Sequence, residues 1–597
     1  MSLRYLLLTG APEQLANVKL RLARLSWVSV ADVSPRSLVA VTDPTARHLL
    51  PGEAGVVIGT LFRRDERPQP LERLNATDIA AIHATDGGHL LWRLWGSYIL
   101  LLDRPDQTLV LRDPSGMLPC HYLSQDGLHI FASDPDLLVE AGFLQPRLDE
   151  FGLARALYLP GLPTTRTAIE GVNDLLPGTA LTIRGTDISL AARWSPWNHV
   201  RPGKQAGFEA NAAHLRDVVG DCVSAWGGIL EPSLVGLSGG LDSSIVAAAL
   251  TRAGHLLSCL TLVTDDPLGD ERSYCRALAE HFNLPLEEAY YSLADVPIGQ
   301  SSVGHRVRPY GRPETIAYDA AAFRVAERNG AKAVLTGHGG DNIFYFSYSA
   351  RAIADRFLVE GLSSGLRQTV LDICTLTGAS VFEVAWAARK VLKDREAGYA
   401  WRPDETFLAR ELIQHQSALP IHHDWLVPPK DKALPGKAAH IAMLLRMQHS
   451  VEGHDRSLSV PVIHPLASQP LVEFCLSIPT WQQCAGGYNR SVARRAFASE
   501  LPATVANRRG KGSPEGFAFE ILRHFRSEIR ERLLDGQLVK AQLLDGQALE
   551  IALRPDARNT SKENVRLLAL VDAEAWAQRW IEKGEAAANA VPHDASG

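Results

Sequence analysis

Two short segments of this chain set acid, hydroxyl and glycine side by side in a way that suits polyphosphate chemistry. Leu234-Val-Gly-Leu-Ser-Gly-Gly-Leu-Asp-Ser-Ser244 is an apolar run that ends in two glycines and continues into the helical text Ile245 to Leu250. A strand that turns through glycines into a helix gathers backbone N–H groups and a helix N-terminus at one point, where a polyanion can sit. Ser238 and Ser243 add hydroxyl donors, and Gly239 and Gly240 let the backbone approach closely. Asp242 would repel a phosphate unless a divalent cation lay between them, so it reads as a magnesium ligand. The loop lacks the Lys of a Walker A motif and the spacing of a dinucleotide GxGxxG.

Val334-Leu-Thr-Gly-His-Gly-Gly-Asp-Asn-Ile-Phe344 repeats the logic and offers Asp341 as a second metal ligand. In a doubly wound sheet the strand C-termini share one edge, so the two aspartates can face each other across the phosphates. The expected polyphosphate-site residues are Leu237, Ser238, Gly239, Gly240, Asp242, Ser243 and Ser244, together with Leu262 and Gly337. The plain structural alternatives are a glycine-rich turn and an N-capping Asp341.

The elements that must position these loops follow from the remaining text. Up to about residue 200 short β-rich runs, Tyr98 to Asp103 and Thr108 to Arg112 among them, alternate with turn signals, which predicts stacked antiparallel sheet. Helical periodicity then covers Ala210 to Trp226, Glu271 to Phe282, Ala317 to Asn329, Gly378 to Lys393 and Lys437 to Val451. Three buried-strand runs lie among them, Leu234 to Leu237, Ser258 to Val263 and Ala333 to Thr336. Strands alternating with helices predict a parallel, doubly wound sheet. The stretch 201–207 reads as a linker between domains at 1–200 and 208–585, and 586–597 as a flexible tail.

Composition narrows the function. The 597 residues are 46% apolar and 21% charged, as in ordinary globular proteins, and the net charge of −6 argues against a chain built to bind nucleic acid or anionic membrane. Seven dispersed cysteines with no CxxC pair fit reduced thiols in a cytoplasmic protein. The apolar runs fall short of a membrane span.

S-G-G-x-D-S resembles the pyrophosphate loop of N-type ATP pyrophosphatases, which cleave ATP to AMP and pyrophosphate. The wider order of motifs resembles the class B asparagine synthetase-like family. SGGLDSS and GHGGD are followed by Val460-Pro461, Leu471-Val-Glu-Phe-Cys-Leu-Ser-Ile-Pro479, Gly486-Gly-Tyr-Asn-Arg-Ser-Val-Ala-Arg-Arg-Ala-Phe497 and Leu501-Pro502. Upstream, Arg112-Asp-Pro-Ser-Gly-Met-Leu-Pro119, His121-Tyr122, Phe131-Ala-Ser133 and Leu175-Leu-Pro-Gly178 look like that family's glutaminase signatures. The resemblance implies an α/β chain: an N-terminal Ntn-type, glutaminase-like αββα sandwich, then a doubly wound ATP pyrophosphatase domain, adenine nucleotide alpha hydrolase-like, with extra helices.

The departures direct the functional expectation. The family's glutaminase nucleophile is an N-terminal cysteine; here position two is Ser2, and the glutamine-holding N-G-E element reads Gly59-Thr60-Leu61. A degenerate glutaminase leaves the nucleophile to the substrate's own amine. The N-R-x-V-A-R-R-A-F stretch, the 508–513 segment and GHGGDNIF look most like lasso peptide cyclases. That branch implies adenylation of an Asp or Glu side chain in a leader-cleaved precursor core peptide, with ATP and Mg2+, and attack by the peptide's N-terminal amine. It also implies a leader peptidase and a leader-recognition protein as partners. A β-lactam synthetase, an ammonia-using asparagine synthetase homologue, and an inactive nucleotide-binding scaffold for a peptidase are the rival readings.

In the favoured reading Arg490 and Lys511 neutralise the departing pyrophosphate, Lys511 resembling the lysine the family places at the acyl-adenylate. His338 stands three residues before Asp341, where relatives carry a tyrosine or glutamate, and is the candidate base, a substrate contact or a structural residue. Ser457 replaces an acidic family position. Trp401, His415, His422, His423 and Trp425 line a peptide cavity or serve in packing, and Asp270-Glu271 contributes to the site or starts a helix.

Overall fold

The alternation of side chains along Tyr5–Thr9 builds the first layers. Tyr5 and Leu7 point to one side, into an apolar core with Val39, Val56, Ile58, Ile99 and Val110. Leu6 and Leu8 point to the other, against Leu15, Val18 and Leu22 of the helix Pro12–Leu22. In this computed structural model, which describes residues 2–23, 25, 27–50, 54–64, 69–203, 206–263, 269–451, 454–458, 460–508, 510 and 515–589, two six-stranded antiparallel sheets stack on that shared core. The outer face of the second sheet, with Leu100, Leu102 and Leu111, is covered by apolar residues that include Ile82, Leu90 and Leu91 of two short helices. The N-terminal half is thus the expected αββα sandwich.

The RDPSG turn is a brace inside this sandwich. Arg112, fully buried, donates to the carbonyls of Leu118 at 2.9 Å, Gly116 at 2.9 Å and Leu175 at 2.8 Å, and to the Asp174 carboxylate at 3.2 Å. Asp113 accepts from the backbone N–H groups of Tyr98 and Ser115.

The second half is built on a five-stranded parallel sheet in the order Leu286–Tyr290, Leu257–Val263, Ser233–Leu237, Ala333–Thr336, Val462–Ile463. Three of these strands follow the sequence expectation. Leu286–Tyr290, partly exposed and acidic, and the two-residue Val462–Ile463 carry no buried-run signal. The predicted helix from Gly378 to Lys393 begins instead at Val381, capped by Ser380 and Glu383. Gly378, at φ 71°, closes the preceding helix Ser364–Thr377. The helix Ser561–Asn589 runs into the expected tail, since Ala586 to Ala588 are strong helix formers; residues 590–597 lie outside the described residues.

Side chains join the halves. Glu473 accepts from Arg64 at 2.7 Å and from Trp194 Nε1 at 2.9 Å, Arg456 donates to Met117 O at 2.6 Å, and Arg579 pairs with Asp136 at 2.9 Å. Trp425 packs against Trp194, and Arg446 stacks on the buried Trp401. His423 accepts from Trp425 N at 3.1 Å, His422 pairs with Asp424, and His415 meets Phe151 edge-on. Trp425 and His415 thus pack against the N-terminal half, Trp401, His422 and His423 find partners in their own half, and none of the five lines the main cleft. Among the described residues no single helix is long and apolar enough to cross a membrane.

Candidate functional site

The central strand Ser233–Leu237 delivers the first loop to the carboxyl edge of the parallel sheet, and the helix Leu241–Ala253 leaves it with Gly240 at its N-cap. Gly239 has φ +58°, and a Cβ there would lie 2.8 Å from Tyr274 Cβ, so only glycine suits both the turn and the contact. Ser243 Oγ accepts from Ser238 N at 3.2 Å and closes the loop on itself. Leu237, Ser238, Gly240, Asp242 and Ser243 line an open cleft of ≈ 760 Å³, with Leu262 and Gly337 beside them. Ser244 does not reach it: fully buried, it donates to Gly240 O at 2.8 Å. Gly239 presents its carbonyl to Arg508 Nη1 at 2.9 Å.

The second loop leaves Ala333–Thr336 through Gly337, where a Cβ would lie 2.3 Å from Ser243 N. This close approach places Asp341 against the first loop. Arg490 Nη1 donates to Asp242 Oδ2 at 2.8 Å and to Asp341 Oδ1 at 2.5 Å. Two carboxylates from different strands thus converge on one cationic nitrogen. A carboxylate pair beside a phosphate cradle fits Mg2+, which takes one or two protein carboxylates and completes its shell with phosphate and water oxygens. Arg490 itself is buried, held at φ +54° before the helix Ser491–Ala496, and stacked 4.8 Å over Phe346. Its charge meets the aspartates directly. Lys511 lies outside the described residues.

His338 is exposed on the same cleft. Ser450 Oγ lies 2.7 Å from His338 Nε2 and 2.9 Å from Met447 O. A hydroxyl has one proton; if Ser450 gives it to Met447 O, it must accept from His338 Nε2–H. Nδ1 then carries the imidazole lone pair. The His338 backbone N–H donates to Thr336 Oγ1 at 3.1 Å, which in turn meets His464 Nδ1 at 2.8 Å. Burial, with the nearby His338 and Arg306, drives His464 well below the usual histidine range, so it stays neutral. These contacts orient an accessible imidazole.

Several cleft partnerships are not legible in the sequence, although Glu271 and the basic segment that holds Arg508 are. Arg508 stacks on Tyr274 at 4.0 Å, pairs with Glu271 at 2.7 Å and holds the Gly239 carbonyl, which fixes the phosphate loop. Glu271 thereby serves the site without capping its helix by a side-chain bond. Asp270 instead accepts from Arg272 N. Leu260, Leu262, Ala322 and Phe323 form an apolar wall, while Tyr291, Tyr318, Asp319 and Tyr348 complete the lining. The basic cluster Arg490, Arg494, Arg495, Arg508, Arg509 and Lys511 signals a triphosphate site in the sequence, but nothing local marks Tyr274 or the Gly239 carbonyl as partners of Arg508.

In the other half, Ser2 is buried three residues ahead of the first strand, its Oγ 3.1 Å from His454 Nε2. Gly59, Thr60 and Leu61 lie within the strand Gly55–Arg63, with Leu61 in the apolar core. Ser457 hydrogen-bonds Asp455.

Comparison with known proteins bears on both halves. The family model for asparagine synthase matches residues 214–582, and that for a glutamine amidotransferase domain matches residues 75–195. Asparagine synthetase [glutamine-hydrolyzing] 3 of Bacillus subtilis (strain 168) is 28% identical over 145 residues, 24% of this chain and 23% of that protein. The match therefore spans about a quarter of the relative's length. Among solved structures, the B. subtilis glutamine phosphoribosylpyrophosphate amidotransferase complexed with ADP and GMP aligns at 10% identity and a TM-score of 0.22, over 56% of this chain and 90% of that one. An allosteric regulatory enzyme of purine biosynthesis aligns at 10% identity and a TM-score of 0.19, over 48% and 80%. Likenesses this slight carry no argument.

Proposed function

Since the chain belongs to the asparagine synthase family, whose members are ATP-dependent carbon–nitrogen ligases that form AMP and pyrophosphate, we propose that it is a macrolactam synthetase of the lasso peptide type. It adenylates the side-chain carboxylate of an Asp or Glu in a leader-cleaved precursor peptide and joins it to the peptide's N-terminal amine. The observation that carries this reading is the pairing of a cleft on which two carboxylates and an arginine converge with a degenerate amidotransferase half. Asp242, Asp341, Arg490 and His338 converge on the cleft, while Ser2 and the Gly59 to Leu61 segment lack the thiol and the glutamine-holding groups.

Each step then has a local agent. The substrate carboxylate attacks the α-phosphorus of ATP and pyrophosphate leaves, held by the N–H groups and hydroxyls of Ser238, Gly239, Gly240 and Ser243 at the helix N-terminus. Asp242 and Asp341 would hold Mg2+, which when bound offsets phosphate charge. Arg490 binds the released negative charge. Leu262 and the apolar wall receive the base of the nucleotide. The amine nitrogen then attacks the acyl carbon, the bond to AMP oxygen breaks with its electron pair leaving on AMP, and the surplus N–H proton passes to the His338 imidazole. A leader peptidase and a leader-recognition protein supply the trimmed peptide.

The test is an array of leader-free peptides with a free N-terminal amine and one internal Asp or Glu at varied positions, incubated with the full chain and Mg-ATP. Parallel reactions contain aspartate with ammonia, or a small β-amino acid. The expected result is AMP release together with loss of one water from a peptide, both lowered at least about 10²-fold in Asp242→Asn. Turnover of aspartate with ammonia and of no peptide would transfer the site to the ammonia-using reading.

A further inference from the structure

Among the described residues four acidic side chains line the cleft, and three of these have cationic partners. Asp242 and Asp341 share Arg490, and Glu271 holds Arg508. Asp319, on the helix Glu314–Arg328, makes no hydrogen bond or ion pair among the described residues; its one charged influence is the nearby Arg306. Its carboxylate opens to solvent within the cleft while protein surrounds its other sides. That surrounding raises its pKa to about 6, so it is largely ionised at neutral pH.

A carboxylate with no hydrogen-bond or ion-pair partner among the described residues, in a site built for a polyanion, repels the nucleotide unless something positive comes to meet it. Neither arginine of the phosphate machinery serves it. The aromatic rings of Tyr291 and Tyr318 lie on the same wall, and ring faces suit a cation as well as apolar chain atoms. The ligase reaction needs one positively charged reactant, the amine, which is an ammonium in water before it can attack.

We propose that Asp319 is the anchor for the substrate's primary ammonium group, so that the cleft holds its nucleophile as a cation on the Glu314–Arg328 helix, apart from the phosphate loop. This rests on the ligase reading above and adds to it the class of nucleophile selected. Asp319 is a positioning residue: it binds the ammonium, and the proton lost before attack goes to solvent or to His338. A site selecting a charged amine on an apolar chain discriminates against small uncharged nucleophiles.

Glycinamide, whose α-ammonium copies a peptide N-terminus, and N-acetylglycinamide, which lacks that charge, are titrated against the full chain by saturation-transfer NMR. Glycinamide is expected to bind and N-acetylglycinamide is not. Asp319→Asn should weaken glycinamide about tenfold or more, with partial recovery in Asp319→Glu. Equal binding of glycinamide to the Asn variant, binding of both probes alike, or no binding of glycinamide to the unaltered chain overturns the proposal. A second arm uses any peptide of the array that releases AMP, with hydroxylamine, uncharged at neutral pH, as the competing nucleophile. The ratio of amide to hydroxamate should fall about tenfold or more in Asp319→Asn. A change confined to the KM for ATP would instead assign Asp319 to the nucleotide. Absence of AMP with every substrate defeats the ligase reading, and the glycinamide titration still decides Asp319.

Discussion

Arg112 and Asp242 are both charged residues of glycine-bearing turns, both belong to motifs, and they live in opposite environments. Arg112 is fully buried, and every partner given above is a carbonyl or carboxylate of its own half. Asp242 faces an open cleft, where its partner Arg490 is shared with a second carboxylate from another strand. The difference separates two reasons for a motif. A charge whose valences are all met inside one fold is a brace, whatever its ancestry. Charges that converge from separate strands on an opening keep the capacity to exchange partners, and exchange of partners is chemistry.

The largest effect expected from this contrast is on stability. Arg112→Met leaves the Asp174 carboxylate and three carbonyls without their donor in a dry interior, a loss of about 3–5 kcal/mol by the usual cost of breaking a buried charge pair from one side. Asp174 retains Arg308 at 3.0 Å, so the lower end is the better expectation. Thermal or urea unfolding of the full chain checks this. A loss below about 1 kcal/mol would mean that Arg112 is no brace and that its motif answers to something else.

The opposite half is broken by touching rate without touching stability. His338→Gln keeps a donor toward Ser450 on an exposed side chain, and its expected cost is about 10²-fold in amide formation, the lower range for losing a positioned base. If His338 takes the amine's proton, the deficit shrinks as pH approaches the amine's own pKa, about 8 for an α-amino group. A deficit that is uniform across pH would leave His338 as a substrate contact.

Sequence reading succeeded where the structure is locally determined. The two glycine loops, the placement of Asp242 and Asp341 on one cleft, and three of the five parallel strands are legible because a strand, a turn and a helix start each depend on a few consecutive residues. It failed where meaning depends on what folds against what. Ser244 sits one residue from Ser243 yet turns into its own helix. Trp401, His423 and Trp425 suit a peptide cavity or packing by their sequence, and the structure spends them on packing, Trp425 against Trp194 of the other half and Trp401 against Arg446 of its own. Arg508 gains its role from a carbonyl 269 positions away in sequence. Asp319, in an unremarkable helical stretch, is distinguished only by the absence of a partner among the described residues, which no local pattern can express.

The smallest effect separates the halves by acid. Burial pushes His440 and His449 down to about 3 and His423 to about 4, against about 6.5 in the unfolded chain. Groups that are kept neutral in the fold contribute their stability above the unfolded value and lose it as pH falls from about 6.5 towards 3–4, because the unfolded chain then binds more protons. In the N-terminal sandwich Asp113 runs the other way. Burial raises it to about 6, so its strain is present at neutral pH and is relieved as pH falls through 6 towards 3.8. His48 and His129 in that half, both lowered by burial, and Asp355 in the other, raised to about 6, each oppose the trend around them. The three histidines outweigh Asp355. Between pH 6.5 and 4.5 the region 423–449 should therefore open before the sandwich core at 95–132. Peptide-resolved hydrogen exchange on the full chain, corrected for intrinsic rates, reads the order directly. Simultaneous opening of both regions would mean that the ion pairs at Glu473 and Asp136 couple the halves more strongly than these titrations divide them.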